Sequence, residues 1–188
     1  MLQEGLAAAT VAIGIYVPLL ITRLYGITAL FAGFIIALES VAWGVVAALV
    51  SGRDEARDRR SIILGMALVT GSIPAFAIAI PLGPLPLVAV AGILQGAGFG
   101  MAWTFILRRA TGLARGAEKQ LVAAALPTVQ RLGYALGAAF IGIVANAAGI
   151  EAVNDPAILR FAATAIFLAC LPLALVGLVA MRAFVRDA

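Results

Sequence analysis

The sequence predicts an all-α membrane protein, six transmembrane helices arranged as two inverted three-helix repeats. Three observations predict it. The first is composition. Of 188 residues, 64% are hydrophobic and 12% charged, with a mean hydropathy of +1.12, whereas a soluble domain carries about 45–50% apolar and about 25% charged residues. The second is segmentation: six apolar runs approach the ~20 residues that a helix needs to cross hydrocarbon. None alternates with the period of two that a membrane β-barrel would show. The third is charge placement, because Lys and Arg gather in every second loop.

The elements follow in order. Gly5–Thr22 is the first run and the shortest, with Pro18 inside it. Arg23–Thr28 leads into the second run, Ala29–Val50, and Ser51–Arg60 is the main polar loop. The third run is Ser61–Ile80. The turn Pro81-Leu82-Gly83-Pro84 follows, its prolines stopping one helix and starting the next. Leu85–Leu107 is the glycine-rich fourth run, and Arg108–Lys119 is a basic loop holding Gly112 and Gly116. Leu121–Ala148 is the fifth run, with Pro127 inside it. In Gly149–Pro156 the triplet Asn154-Asp155-Pro156 is a helix-start signal with Asp155 as cap. Ala157–Met181 is the sixth run. Residues 1–188 therefore read as a single bundle. No strong repeat is visible, but runs one to three and four to six form two triplets, the unit from which several transporter folds are built.

Orientation comes from the loops. Arg53, Arg57, Arg59 and Arg60 follow the second run, Arg108, Arg109, Arg115 and Lys119 the fourth, and Arg182 and Arg186 the sixth. The opposite side carries only Arg23 and Arg160. The bias places both termini in the cytoplasm and supports an even number of spans. It also accounts for the net charge of +4, so no nucleic-acid partner is expected. Met1–Glu4 carries an acid, and no cleavable signal peptide is expected.

Composition narrows the chemistry. With no histidine, Ser-His, Cys-His and His-metal sites are excluded. Cys170 is the single cysteine and forms no internal disulfide. No Gly-x-Ser-x-Gly elbow is present. No enzyme activity, metal or cofactor is expected.

The fifth run holds the residue that demands an explanation. Arg131 lies near its middle, and a fixed positive charge in hydrocarbon costs at least ~2.5–3.5 kcal/mol. Arg131 needs a partner, a wet cavity or a function. Glu39 lies midway along the second run, about 12 residues or ~18 Å from the loop, at a depth similar to that of Arg131. Two opposite charges at one depth invite pairing, directly or through a substrate, with Glu39 as the titrating group; the bland alternatives are a static ion pair and a Glu39 held neutral by hydrogen bonds. Gln130 points about 100° away from Arg131. Gln95, in the fourth run, either binds substrate or bridges helices. Tyr16 is a candidate cavity residue, and Tyr25 reads as an interfacial anchor. Gly92, Gly96 and Gly100, with Gly98 added, and Gly133 and Gly137 read as faces for close helix packing.

Taken together, the chain resembles one half of a major facilitator superfamily transporter, the C-terminal half of a drug-efflux-like member. The resemblance covers essentially the whole chain. It rests on the run ALPTVQRLGYALGAAFIGIVANAAG, on IYVPLLITRLYGITALFAGFIIALESVAWG, on the glycine-rich fourth helix and on the basic loop after the second. The family's loop pattern G-x-x-x-D-x-x-G-R-R falls on Ser51, Glu55, Asp58, Arg59 and Arg60, with both glycines replaced. Carried over, it implies a cytoplasmic charge latch between Glu55 and Arg59. The resemblance places helices one and four along a central cavity and helices two and five at the seam with the other half. It implies export of small, partly apolar compounds across a bacterial inner membrane, coupled to protons as an antiporter. A second six-helix half, or a second copy of this chain, would be the partner, with membrane lipid around both. The alternative reading is a non-transporting membrane scaffold or accessory subunit derived from a carrier.

Overall fold

In the computed structural model, residues 2–52, 58–113, 116, 118–150 and 155–187 are described. Six helices account for nearly all of them: α1 (Leu2–Tyr25), α2 (Ala29–Val50), α3 (Asp58–Leu82), α4 (Leu85–Leu113), α5 (Glu118–Ala147) and α6 (Pro156–Asp187). Among the described residues, five helices are long and apolar enough to cross a membrane, α2 to α6; in α1 the apolar stretch Ala12–Tyr25 is shorter.

All six expected runs are helical, and most extend past their apolar segments. Asp58, Arg59 and Arg60, expected in a loop, form the first turn of α3, where Asp58 complements the positive end of the helix dipole. Arg108 and Arg109 likewise belong to α4, which continues to Leu113. The expected cap forms: Asp155 Oδ1 accepts from the Ala157 N–H at 2.8 Å. Thr28 caps α2 by accepting from the Phe31 N–H at 3.3 Å.

The turn after α3 departs from expectation. Pro81 lies inside the helix, and Gly83, at φ 99°, ends it. A proline has no N–H, so the carbonyl four residues earlier loses its partner, and inside a bilayer no water replaces it. Pro81 strands Ala77 O, and the Thr164 hydroxyl on α6 lies 3.4 Å from that oxygen, its one proton shared between it and Arg160 O at 3.2 Å. Pro84 strands Ile80 O, and the Tyr25 hydroxyl donates to it. Tyr25, read as an interfacial anchor, thus closes the helix end left open by a proline. Arg23 Nη1 donates to Ile150 O at 2.9 Å. The C-terminal ends of α1, α3 and α5 therefore meet at one end of the bundle, here called the turn end. The opposite, basic end holds the Asp58–Arg108 ion pair.

Helix α4 packs along α2 and α3, α1 packs along α5 and α6, and α3 meets α6 between the two groups. Glycine explains the position of α4. Gly96 and Gly100 press on the α2 backbone at Glu39 and Trp43, and a Cβ at Gly100 would stand 2.5 Å from Trp43 O. Gly98 lies two residues, hence about 200°, round the helix from Gly96. It meets α3 instead, where a Cβ would stand 2.6 Å from Gly65 O. The buried apolar side chains form two clusters. The larger joins α1, α3 and α6 and includes the Phe76–Phe167 stack at 5.2 Å. The smaller lies at the basic end around Ile62, Met66 and Phe105.

Candidate functional site

The polar groups of the spans separate into two places. On α5, residues 130, 134 and 131 lie within about 100° of one another at 100° per residue. Gln130 Nε2 donates to the Tyr134 hydroxyl at 3.1 Å. On α2, Glu39 is buried at 7% exposure. Glu39 owes its burial to α4: Gly96 lets the α2 backbone settle against it, and a Cβ there would overlap the Glu39 carbonyl. Gln130 and Tyr134 thus form a polar pair on α5, and Glu39 is a buried carboxylate on α2, each helix packing against α4.

Arg131 lies beside the Gln130–Tyr134 pair on α5 and is exposed. Among the described residues no ion pair joins it to Glu39, and no acid holds it. The direct form of the expected pairing is therefore absent among the described residues, and the form through a substrate is a matter for the functional reading. Depth along the helix placed both charges at one level, but pairing also needs azimuth: Glu39 turns into the α2–α4 crossing while Arg131 turns out of the bundle. The surface around Arg131 is unusual too. Only 17% of the α2 span and 22% of the α5 span are buried within the bundle, against 56% for α3.

The remaining candidates fall elsewhere. Gln95 is fully buried and faces α3, its Oε1 2.7 Å from Ser72 Oγ. That hydroxyl also bonds Val69 O at 2.7 Å and has only one proton to give. With the proton on Val69 O, the Gln95 amide turned by half a rotation donates from Nε2 to Ser72 Oγ. Gln95 is thus a bridge between α3 and α4. Tyr16 is half-buried against the larger core cluster. Gly133 and Gly137 are buried on α5, whose main neighbour is α1.

At the basic end, Glu55 lies outside the described residues, Ser51 is exposed, and Arg59 and Arg60 point outward. The ion pair formed there joins Asp58 on α3 to Arg108 on α4, with Arg108 Nε donating to Asp58 Oδ2 at 3.1 Å. The Arg108 guanidinium also lies 4.9 Å from the centre of the Phe105 ring. Arg108 escaped the sequence reading because it counted only toward the orientation rule; its place on the last helical turns of α4 was the missing signal.

The chain is 34% identical, over 140 residues, to probable multidrug-efflux transporters from two strains of Mycobacterium tuberculosis, CDC 1551 and H37Rv. The matched stretch covers 71% of this chain and 30% of the length of each relative. Both relatives are named as transporters rather than enzymes. No family model and no solved structure matches the chain.

Proposed function

We propose that this bundle is one half of a secondary active transporter of the major facilitator type, corresponding to the C-terminal half. It exports small, partly apolar compounds by alternating access against a second six-helix half or a second copy. The observation that carries this reading is the exposed Arg131 beside the Gln130–Tyr134 pair. A guanidinium at that depth is too costly to leave in lipid, so the side formed by α2 and α5 faces water and a partner bundle. The sparse burial of both helices supports the same assignment.

The packing supports two inverted triplets. Exchanging α1 with α4, α2 with α5 and α3 with α6 maps the close pairs onto one another: α1–α5 onto α4–α2, α1–α6 onto α4–α3, and α3–α6 onto itself. In this reading the basic end lies in the cytoplasm of a bacterium, by the positive-inside rule. Arg131 holds acceptor groups of the transported compound. Glu39 carries the exchanged proton, a role that membrane-buried carboxylates serve in pumps and transporters. Asp58 and Arg108 latch the cytoplasmic ends of α3 and α4.

Efflux by the chain together with its partner half tests the assignment. Arg131→Ala and Glu39→Gln each lower the rate by about ten- to a hundredfold, the loss of one charge-assisted contact of about 1.5–3 kcal/mol, while membrane insertion is retained. Undiminished efflux in both variants removes these residues from the pathway. Co-purification with a six-helix partner and no efflux at all favours the accessory-subunit reading.

A further inference from the structure

Two buried polar groups in the spans lack partners. Ser72 engages one end of the Gln95 amide. The other end is shut off from solvent and has no hydrogen-bond partner. Turning the amide by half a rotation changes which atom meets Ser72, and one atom is still left over. Glu39 is the second group: among the described residues, no hydrogen bond or ion pair reaches its buried carboxyl. Orphaned buried groups are costly, and the hydrocarbon around the bundle supplies nothing to serve them.

Both groups lean toward Gly92. Gly96 meets Glu39 and Gly100 meets Trp43, so α2 and α4 run in the same direction. Helical side chains tilt toward the N-terminus of their own helix. From the level of Gly96, Glu39 therefore leans toward Gly92, where its Cβ lies 4.0 Å from the place that a Cβ of residue 92 would take. Gln95, three residues after Gly92, leans back over the same turn. Phe76, one turn of α3 beyond Ser72, closes the third side, its Cζ 3.9 Å from that place. Glycine at 92 thus leaves a small gap where α2, α3 and α4 meet.

We propose that this gap holds one bound water molecule, bridging the free end of the Gln95 amide and the Glu39 carboxyl. Size and chemistry both name water. The gap has room for a group about as large as a methyl, bounded by carbon atoms of α2 and α3 at 4.0 and 3.9 Å. Water both donates and accepts, so it serves the amide whichever way that is turned, and the carboxyl in either protonation state. Buried waters in proteins fill this role, bridging polar groups that no other partner reaches. The water makes Gln95 a positioning residue for Glu39, and it ties the acid on α2 to Ser72 on α3. The site stands on the packing of three helices, whether or not the chain transports.

Nuclear magnetic resonance of the purified chain, with isotopically labelled glutamine, tests the site. The Gln95 side-chain amide signal is the one that Gln95→Met removes. In wild type this amide, although fully buried, shows a nuclear Overhauser cross-peak to water. Gly92→Ala places a methyl group where the water sits, and Glu39→Leu removes the second partner of that water. Each abolishes the cross-peak while the helical circular dichroism is kept. Gly112→Ala, with nothing within 4 Å, leaves the cross-peak unchanged. A folded wild-type chain without the cross-peak overturns the proposal, because the amide and the carboxyl then meet dry or not at all. A cross-peak that survives in folded Gly92→Ala or in folded Glu39→Leu overturns it as well, because the water then lies elsewhere.

Discussion

At the scale of single residues, the bilayer makes every unpaired polar group expensive, and the chain answers with named partners. Tyr25 shows the logic most simply. Its hydroxyl serves Ile80 O, a carbonyl that Pro84 cannot serve. Tyr25→Phe keeps the ring and leaves that carbonyl orphaned, so the bundle loses about 1–3 kcal/mol of stability; thermal unfolding in detergent measures the loss, and an unchanged midpoint contradicts it. The two prolines were legible in the sequence, but their rescuers were not, because Tyr25 and Thr164 lie 55 and 87 positions from the oxygens they serve. Glu39 and Arg131 show the same limit. Spacing along the chain gave their depth, while the direction each faces depends on which helices become neighbours. Gln95 had two readings, and the helix-bridging contact became visible only with Ser72 on the facing helix.

At the scale of elements, glycine placement decides how closely helices approach. The four-residue spacing of Gly92, Gly96 and Gly100 announced a packing face, and two of the three are in close backbone contact. Gly92 differs, because α2 and α4 have already begun to separate there. Gly98 differs as well, since it serves α3 through Gly65, a lone glycine whose sequence neighbours gave no sign of a partner. These distinctions predict a contrast. Gly96→Ala drives a Cβ into the Glu39 backbone and costs about 1–3 kcal/mol, as overpacking does. Gly112→Ala, with nothing within 4 Å, is neutral or slightly stabilising through helix propensity. Unfolding midpoints that fall equally in both variants would contradict the contrast. Helix existence was plain from the apolar runs; helix ends were not, because α3 and α4 continue into charged segments that hydropathy alone excludes.

At the scale of the whole molecule, the bundle is well packed on one side and sparsely covered on the other. More than half of the α3 span is buried within the bundle, while α2 and α5, packed on α4 and α1 by one face each, are buried over only 17% and 22% of theirs. The alternating basic loops made the up-and-down order legible, and the contacts of Tyr25 and Arg23 gather the ends of α1, α3 and α5 as that order requires. Impermeant thiol reagents should therefore reach Ser51→Cys and Leu82→Cys, two exposed positions, from opposite faces of the membrane; labelling from one face would undo the topology. The pairing of the two triplets was visible only as a weak division of the chain, because no sequence repeat accompanies it. What covers the bare side is the central question, and residue 131 answers it most directly. In a Cys170→Ala background, Arg131→Cys and Leu132→Cys are treated with a water-soluble maleimide in membranes containing the assembled protein. The account predicts that Cys at 131 reacts and Cys at 132, about 100° round the helix, does not. A residue 131 as unreactive as 132 would mean that the arginine faces lipid, and the transporter reading would fail.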